Sequence, residues 1–522
     1  VEKADWEVLE KLLLSEKALF FVGNKKVQKQ FYLYMTAILM AEKFSNYESA
    51  ANYLLDGIQI TIDDIYHISL ENRVLSVREL HMLILYLHYS LCAGTIEDLL
   101  ANKLFSELEK YILSSYLDIK EKSKIYPKLV CVWINLQKEY LSDYEKIRMC
   151  KRAIEILKEG LQFNDILEVF RVFIPLLKEN SEEYFFFKKQ YEVFVEIFNY
   201  AEVEEKFRPE FIIRKIPKIY VITEYLRYKR KEMNLTQDKL SEGICEPETY
   251  SRIERGKRAP SPSNRKALTE RLNIGWHYFR GELDTDSLEV YKLRGKQRVA
   301  EIKENWHESF DILQKMRKLL DMDSVFNLQY IVSNECNALY HLMKMEENEF
   351  YNKLRELLFL TNKIDICQDQ FVYYSQVELE ILGEMAKILR KRGDIQEAAK
   401  LIDSVIGQMS QSKVSLLYQW DGVDFLQRIR AGLYYSEGKY REGYVTRKEA
   451  YKVAVSEINA GNLPIMLDGM ADDLEHIGKE YRNEYMNLYR QTYYVSDFYE
   501  MKNIRDFARK YYEKFEKQYQ WY

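Results

Sequence analysis

Apolar residues along most of the chain recur at intervals of three and four positions, and strict alternation of apolar and polar residues is almost absent. This spacing is typical of amphipathic α-helices, because residues three or four apart share one helix face. Only 8 prolines occur, and five of them fall between residues 209 and 262. The flanks of that segment are therefore predicted to be nearly continuous helix, and we predict an all-α protein.

Two sets of turn segments divide these flanks into pairs of helices. The first set lies at Asn46, Gly94 and Asp143, and the second lies at Glu347, Gly393 and Gly438. The spacing is nearly constant, at 48 and 49 residues in the first set and 46 and 45 in the second. A fixed period indicates repeats, in which each helix pair buries its apolar face against its neighbours. We therefore predict helical repeats, with an irregular helical bundle as the alternative.

The turns GDIQEAAK at Gly393 and GKYREGY at Gly438 resemble those of tetratricopeptide repeats, with a glycine at the bend. The period is longer than the usual ~34 residues, so we describe the repeats as tetratricopeptide-like. Stacked repeats of this kind form a solenoid with a concave groove. The aromatic tail from Tyr511 to Tyr522 is predicted to cap the last repeat, and a dimer contact is the alternative.

Turn and cap residues are concentrated in the centre of the chain, over residues 234–262. Thr236 is a favourable N-cap, because its hydroxyl can accept a backbone N–H of the first turn, so a short helix is predicted from Gln237. Leu240 lies on the inner face of this helix, and the small residues that follow suit a tight turn. The helix is therefore predicted to end near Gly243.

A second short helix is predicted to begin at Pro247, because proline suits the first helical position, and to stop at Gly256. Tyr250 and Ile253 face inward by their spacing. The residues on the outer side are polar, and they are Glu248, Thr249, Arg252 and Arg255. One face of this helix is thus able to meet base edges of DNA.

Positive charge is concentrated around these two helices. The whole chain has 77 basic and 82 acidic residues and a net charge of -5. Between Lys218 and Arg280, in contrast, basic residues outnumber acidic ones, and a preceding helix over 222–233 carries several of them, with Leu226 and Met233 pointing inward. A basic island in an acidic chain is the expected footprint of a DNA-binding module. A solvated basic face is the alternative.

The motif TQxxLxxGIC followed by SRIERGKRxPS resembles the lambda-repressor/Cro class of helix-turn-helix. In this form it is similar to the RRNPP family of peptide-pheromone-responsive, quorum-sensing regulators with tetratricopeptide-like repeats. We therefore expect a central five-helix helix-turn-helix domain flanked by tetratricopeptide-like helical repeats. The expected boundaries are 1–215 for an N-terminal repeat domain, 216–282 for the DNA-binding domain and 283–522 for a C-terminal sensor and dimerisation domain.

The resemblance implies a role for each matching residue. Gln237 would contact a DNA phosphate, and Arg230 and Glu254 would form a largely buried, architectural salt bridge. The residues that would face the major groove are Glu248, Thr249 and Arg252, and those that would contact the DNA backbone are Lys257 and Arg258.

Two features depart from the family pattern. Glu246 occupies the cap position, where the family usually has a better N-cap such as Ser, and with Glu248 it brings negative charge towards DNA. The domain also lies in the middle of the chain, whereas the family usually places it first. The domain arrangement of the family therefore does not transfer directly.

The resemblance further implies a short signalling peptide in the concave groove of the repeats. One helical face is rich in amides, and by the i, i+3, i+4 rule it carries Asn327, Tyr330, Asn334, Asn337 and His341. An Asn amide offers a donor and an acceptor, so such a ladder can pair with an extended peptide backbone. An ordinary solvent-facing stripe is the alternative.

Catalytic and cofactor motifs are absent from the sequence. The seven histidines form no HExxH, and neither GxGxxG nor GxxxxGK[ST] occurs. We therefore expect no enzyme activity, no cofactor and no metal. The six cysteines are scattered without metal-ligand spacing, which favours reduced thiols in the cytoplasm, and no apolar run has the length of a membrane helix.

These patterns favour a cytoplasmic transcription regulator. Its expected partners are a double-stranded DNA operator, a short signalling peptide and a second copy of the chain in a homodimer, with no membrane partner. The alternative is a helical-repeat interaction scaffold whose helix-turn-helix is structural or protein-binding. The acidic residues Glu246 and Glu248 favour the scaffold, whereas the basic residues of the second helix favour DNA.

Overall fold

The computed structural model of the chain is helical throughout its described part, which confirms the predicted all-α class. No strand occurs there, and the one β-type contact is an isolated bridge between Gln162 and Asn459. The structure describes residues 6–14, 25–203, 226–272, 283–361, 374–411 and 416–519, apart from gaps at 63–64, 66–68, 71–72, 115–116, 118, 138–140, 228–229, 232, 256–257, 259, 284, 286 and 457.

Nine α-helices precede the centre of the chain. They are α1 (Trp6–Leu14), α2 (Lys25–Glu42), α3 (Tyr47–Ile58), α4 (Val77–Ala93), α5 (Asp98–Ser114), α6 (Ile119–Leu136), α7 (Asp143–Gly160), α8 (Ile166–Phe173) and α9 (Glu182–Tyr200), among the residues that the structure describes. Most of these helices pack against neighbours in sequence, such as α2 against α3 and α6 against α7. This arrangement is the one expected of helical repeats.

Among its described residues, the centre contains three short helices, α10 (Gln237–Ser241), α11 (Pro247–Glu254) and α12 (Pro262–Arg271). Residues 226–227 and 230–231 are helical as well. The other parts of the predicted five-helix domain, residues 216–225 and 273–282, lie outside the described residues.

The C-terminal part contains eleven more helices within the described residues. They are α13 (Leu288–Ile302), α14 (Trp306–Leu319), α15 (Val325–His341), α16 (Glu347–Thr361), α17 (Gln376–Arg392), α18 (Ile395–Gln411), α19 (Leu416–Ser436), α20 (Tyr440–Ser456), α21 (Leu463–Ile477), α22 (Arg482–Phe498) and α23 (Lys502–Tyr519). The helices from α13 to α19 share one apolar core, and its buried residues include Tyr330 of α15, Leu382 of α17 and Ile402 of α18.

Local sequence signals account for many of the helix ends. Ser142 begins α7 with a capping box, in which its hydroxyl accepts the backbone N–H of Glu145 and the Glu145 carboxylate accepts that of Ser142. The predicted turns at Gly94, Gly393 and Gly438 are confirmed, because their φ angles are +67°, +91° and +73°. A residue with a Cβ is strained in this left-handed region, and glycine is not.

Contacts divide the chain into two compact units. The first contains the described residues of Val1–Ile216 together with Val455–Gly461 and Asp497–Glu500. Inside this unit the Ala460 N–H donates to the Leu161 carbonyl at 3.0 Å, and the Tyr499 hydroxyl donates to the Gln162 carbonyl at 2.7 Å. Two short segments from late in the sequence therefore complete a unit that is otherwise N-terminal.

The second unit contains the remaining described residues, and α23 packs at its C-terminal end. The Tyr511 ring stacks on Tyr489 with centroids 4.4 Å apart, and Tyr512 stacks on Tyr493 at 5.3 Å. These contacts are those of a capping helix, although residues 520–522 of the tail lie outside the described part. None of the described helices is long and apolar enough to cross a membrane.

Candidate nucleic-acid interface

The turn between α10 and α11 forms as the sequence predicts. The Thr236 hydroxyl accepts the Lys239 backbone N–H at 3.2 Å, and α10 follows directly. Gly243 then adopts a φ of +70°, and a Cβ built there would meet nothing within 4 Å, so the backbone angle alone favours glycine. Pro247 occupies the first turn of α11, where its missing N–H costs no hydrogen bond.

A small apolar core holds the three helices together. Its buried members are Leu226, Leu240, Tyr250, Ile253, Leu268 and Leu272. The inward positions predicted for Leu226, Leu240, Tyr250 and Ile253 are thus confirmed. The prediction for Met233 is wrong, because its side chain is 43% exposed. Met233 lies in a turn, and Asn234 directly after it has a φ of +53°, so the helical spacing that pointed Met233 inward has already ended.

The Glu254 carboxylate is a buried centre of hydrogen bonds between these helices. Arg230 donates to it from Nε at 2.6 Å and from Nη2 at 3.2 Å. The Tyr250 hydroxyl donates to Oε1 at 2.9 Å, and the Gln237 amide donates to Oε2. Arg230 also donates from Nη1 to the Leu235 carbonyl at 2.7 Å. The structure therefore contains the salt bridge that the sequence resemblance implied.

Opposing effects set the protonation of this centre. Burial alone raises the pKa of Glu254, but hydrogen bonds from Arg230, Gln237 and Tyr250 outweigh it, and the pKa lies below its usual value. The hydrogen bond to Glu254 raises the pKa of Arg230. Glu254 is thus ionised and Arg230 charged at neutral pH, so the pair is a true ion pair.

Arg271 is a second architectural residue, and no motif in the sequence predicts its role. Its Nη1 atom donates to the carbonyls of Leu240, at 3.2 Å, and Glu242. These carbonyls lie at the C-terminal end of α10, where no later helical turn supplies a donor. The contact joins residues about thirty positions apart, so local sequence patterns cannot predict it. The sequence shows only that a basic residue lies in the last turn of α12.

The predicted base-reading residues share the outer face of α11. Glu248 and Arg252 are exposed and form an ion pair, with Nη2 and Oε1 2.7 Å apart. Thr249 between them is half-buried. Arg255 is exposed and donates to the Ser251 hydroxyl at 2.7 Å, and Arg258 is exposed as well. Lys257 lies outside the described residues.

Gln237 has a different environment from these residues. Its amide donates to the buried Glu254 carboxylate, so its side chain is held at the first turn of α10. The predicted contact between Gln237 and a DNA phosphate stays a prediction. In the structure, the hydrogen bond to Glu254 holds the Gln237 side chain in place without DNA.

This three-helix geometry agrees with a comparison to protein families. Residues 226–279 match the family model described as Helix-turn-helix, HTH_3. The segment is a helix-turn-helix domain. The match confirms the sequence resemblance of this segment to the lambda-repressor/Cro class. Domains of this class bind duplex DNA through the second helix of the pair, the recognition helix, and α11 occupies that second position here.

Two solved structures are among those that match the chain. One is the crystal structure of Bacillus thuringiensis PlcR in complex with the peptide PapR7 and DNA, at 18% identity and a TM-score of 0.37, covering 55% of this chain and 99% of that chain. The other is a signal transduction ATPase with a tetratricopeptide repeat sensor, PH0952 from Pyrococcus horikoshii, at 12% identity and a TM-score of 0.30, covering 98% of this chain and 87% of that chain. No curated protein matches the chain.

The amide-rich face predicted to contact a peptide lies on α15, outside the helix-turn-helix domain. Asn327 and Tyr330 are fully buried, whereas Asn334 and Asn337 are each 8% exposed. His341 is exposed, and its ring stacks on Trp306 with centroids 4.0 Å apart. The alternative of a solvent-facing stripe therefore describes His341 alone among the five residues.

The amide nitrogens of this face already have partners within the second unit. Asn327 donates to the Asp321 carbonyl and Asn334 to the Tyr330 carbonyl, both at 2.8 Å. Asn337 donates to Glu301 at 3.1 Å, and its buried Oδ1 atom has no hydrogen-bond partner. The Tyr330 hydroxyl donates to Gln297 at 3.1 Å. Glu301 and Gln297 lie on a different helix, α13, so the spacing of residues along α15 gives no sign of them.

Proposed function

We propose that the protein is a cytoplasmic transcription regulator that binds operator DNA through its helix-turn-helix domain and responds to a short peptide bound in its C-terminal repeats. The observation that carries the DNA part is the outer face of α11, where exposed Glu248 and Arg252 and half-buried Thr249 stand on a helix anchored by the Glu254 hydrogen bonds. A preorganised polar face of this kind suits the major groove.

A fluorescence titration with random duplex at two salt concentrations tests this part. Each phosphate contact lowers log K by about 0.9 per unit of log salt, so we expect affinity to fall steeply as salt rises. Arg252→Ala should flatten the base preference, because an Arg pairing with guanine contributes about 1 to 3 kcal/mol of discrimination.

Lys266→Ala is the matched control for Arg252→Ala. Lys266 is an exposed basic residue of the same domain, but it lies on α12 rather than on the recognition helix. Unchanged base preference in Arg252→Ala, or an equal loss of preference in Lys266→Ala, would remove Arg252 from the residues that read bases. Absence of any salt-dependent duplex binding would instead favour the helical-repeat scaffold, which the acidic residues Glu246 and Glu248 support.

The peptide part of the proposal places the ligand at α15, on the face that carries Asn334, Asn337 and His341. Asn327 and Tyr330, which the sequence groups with them, are fully buried and anchor this helix instead. Support comes from the buried Asn337 Oδ1, which lacks a partner and can accept a peptide N–H. A peptide that binds one arrangement of the repeats better than another would shift the DNA-binding equilibrium, which is what a switch requires.

DNA affinity measured with and without candidate peptides tests this site. In the double variant Asn334→Ala and Asn337→Ala we expect the peptide response to be lost. Asn102→Ala is the control, because the Asn102 amide donates to the Asp98 carbonyl one helical turn earlier, as Asn334 does to Tyr330. A response that survives the double variant would place the site elsewhere in the repeats.

The proposal includes a homodimer, because a two-fold pair of recognition helices one DNA turn apart matches an operator palindrome. Light scattering at micromolar concentration, with and without DNA, measures this directly. A monomer under both conditions would remove the dimer from the proposal and leave single-site DNA binding.

A further inference from the structure

The ion pair on the recognition helix distinguishes Arg252 from the arginines around it. Arg230 is held by buried Glu254, and Arg271 by two backbone carbonyls. Arg252 instead pairs with Glu248 on the same outer face, and the two side chains are 59% and 78% exposed. The helix that faces DNA in the proposed function therefore presents a carboxylate beside its central arginine.

An exposed pair of this kind is weak, because water screens both charges and each side chain loses conformational freedom in the pairing. DNA can therefore separate Glu248 from Arg252 at little cost. Once Arg252 has turned to a base, however, the Glu248 carboxylate is left among phosphates without its cation. It needs a hydrogen-bond donor from the DNA to be tolerated there.

The major groove offers such a donor at specific bases only. Cytosine presents its N4 amino group, to which a Glu carboxylate can accept, and guanine presents two acceptors that suit Arg. Residues four apart on a helix are neighbours, with Cβ atoms about 5 to 6 Å apart. Side chains this close can reach the same base pair or adjacent ones.

We propose that Glu248 and Arg252 together select a cytosine and a guanine in the same or neighbouring base pairs of the operator, and that Glu248 acts against duplexes that lack this cytosine. The inference rests on the proposed DNA binding and adds the chemistry of the target. Glu248, which with Glu246 brings negative charge towards DNA, is then a specificity determinant, because it lowers affinity for wrong sequences more than for the right one.

Selection from a randomised duplex library with the full chain tests this, followed by sequencing of the bound fraction. Wild type should enrich cytosine and guanine at a fixed spacing. Glu248→Gln should keep the guanine and lose the cytosine, with adenine now accepted, because a Gln amide pairs with adenine. Discrimination at the cytosine position should fall by about 5- to 150-fold, and affinity for random duplex should rise.

Glu270→Gln is the matched control. Glu270 is an exposed acid of the same domain in an i, i+4 pair with Lys266, at 3.9 Å, but it lies on α12. It removes the same charge and should leave the selected sequences unchanged. Both carboxylates are exposed, so neither substitution disturbs the core, and circular dichroism of each variant verifies the fold.

The outcomes separate the inference from the function on which it rests. If wild type binds no duplex, the proposed function fails and the inference fails with it. If wild type selects a sequence and Glu248→Gln selects the same one, the inference is overturned while DNA binding stands. An equal change in Glu248→Gln and Glu270→Gln would also overturn it, because the effect would then be one of net charge.

Discussion

At the scale of single residues, one buried carboxylate organises the helix-turn-helix domain. The sequence resemblance predicted that Arg230 and Glu254 would pair, and they do. It did not predict that Gln237 and Tyr250 would donate to the same carboxylate. Such convergence depends on side-chain geometry across three helical segments, which spacing within any one of them does not encode.

Arg230→Ala should unfold the helix-turn-helix domain locally. Removing one partner of a buried ion pair leaves the other without compensation, which typically costs about 3 to 5 kcal/mol. Amide hydrogen exchange across residues 226–272 measures the loss. Arg227→Ala is the control, because Arg227 is an exposed arginine of the same segment. Unchanged protection in Arg230→Ala would show that the pair contributes little to the stability of this domain.

The same carboxylate makes the domain sensitive to acid. Because the folded pKa of Glu254 is below its unfolded value, the stability it contributes is fully present above the unfolded pKa of about 4.5. That stability is lost as the pH falls through the folded pKa. Protection of α11 in wild type should therefore decline below about pH 4.5. Protection that stays constant there would mean that folding does not lower the pKa of Glu254.

At the scale of elements, the sequence predicted what local chemistry controls. The Thr236 cap, the left-handed Gly243 and the glycine turns of the repeats are all set within a few residues, and they are confirmed. Met233 was predicted to point inward, but it is exposed. The helix ends before it, and helical periodicity alone does not show where a helix ends. For α15, periodicity grouped the amides but could not show that most are buried.

The N-cap residue of α11, Glu246, makes no side-chain hydrogen bond to the first turn of the helix. Glu246 has φ and ψ of -59° and 140°, an extended conformation that suits an N-cap, yet its side chain makes no capping hydrogen bond. Glu246→Ser should supply the missing acceptor and stabilise α11 by about 0.5 to 2 kcal/mol. Amide exchange of α11 measures the gain, because a chain with several units need not unfold in one step.

Glu246→Ala separates the cap from the charge. Both substitutions remove the carboxylate, but only serine can accept a backbone N–H of the first turn. Protection in the serine variant should therefore exceed that in the alanine variant. Equal protection in both would mean that the loss of negative charge, and not the cap, changes the stability of the helix.

At the scale of the whole molecule, the first unit is made of segments far apart in sequence. The repeats of residues 1–215 were predicted to form a domain alone, and that boundary stays a prediction. The structure adds Val455–Gly461 and Asp497–Glu500 to the same unit. The Phe498 ring packs edge to face on Phe170 and Phe194, with centroids 5.8 and 5.7 Å apart. Periodicity is a local signal, so it cannot predict a return of the chain after hundreds of residues.

The Tyr499 hydroxyl allows a test of whether the segment Asp497–Glu500 stabilises the first unit. It is fully buried and donates to the Gln162 carbonyl at 2.7 Å, across 337 positions of sequence. Tyr499→Phe keeps the ring and leaves that carbonyl without this donor. Because an unsatisfied buried acceptor costs about 1 to 3 kcal/mol, protection of α7 and α8 against amide exchange should fall.

Tyr144→Phe is the control for this variant. Tyr144 lies on α7 in the same unit, but its side chain is 77% exposed and its hydroxyl can exchange a protein partner for water. It should leave the exchange of α7 and α8 unchanged. If Tyr499→Phe also leaves the exchange unchanged, the contact of Tyr499 with the first unit does not stabilise that unit. Residues 1–215 would then be expected to fold alone. If protection falls only in Tyr499→Phe, the stability of the N-terminal repeats depends on contacts with the segment Asp497–Glu500.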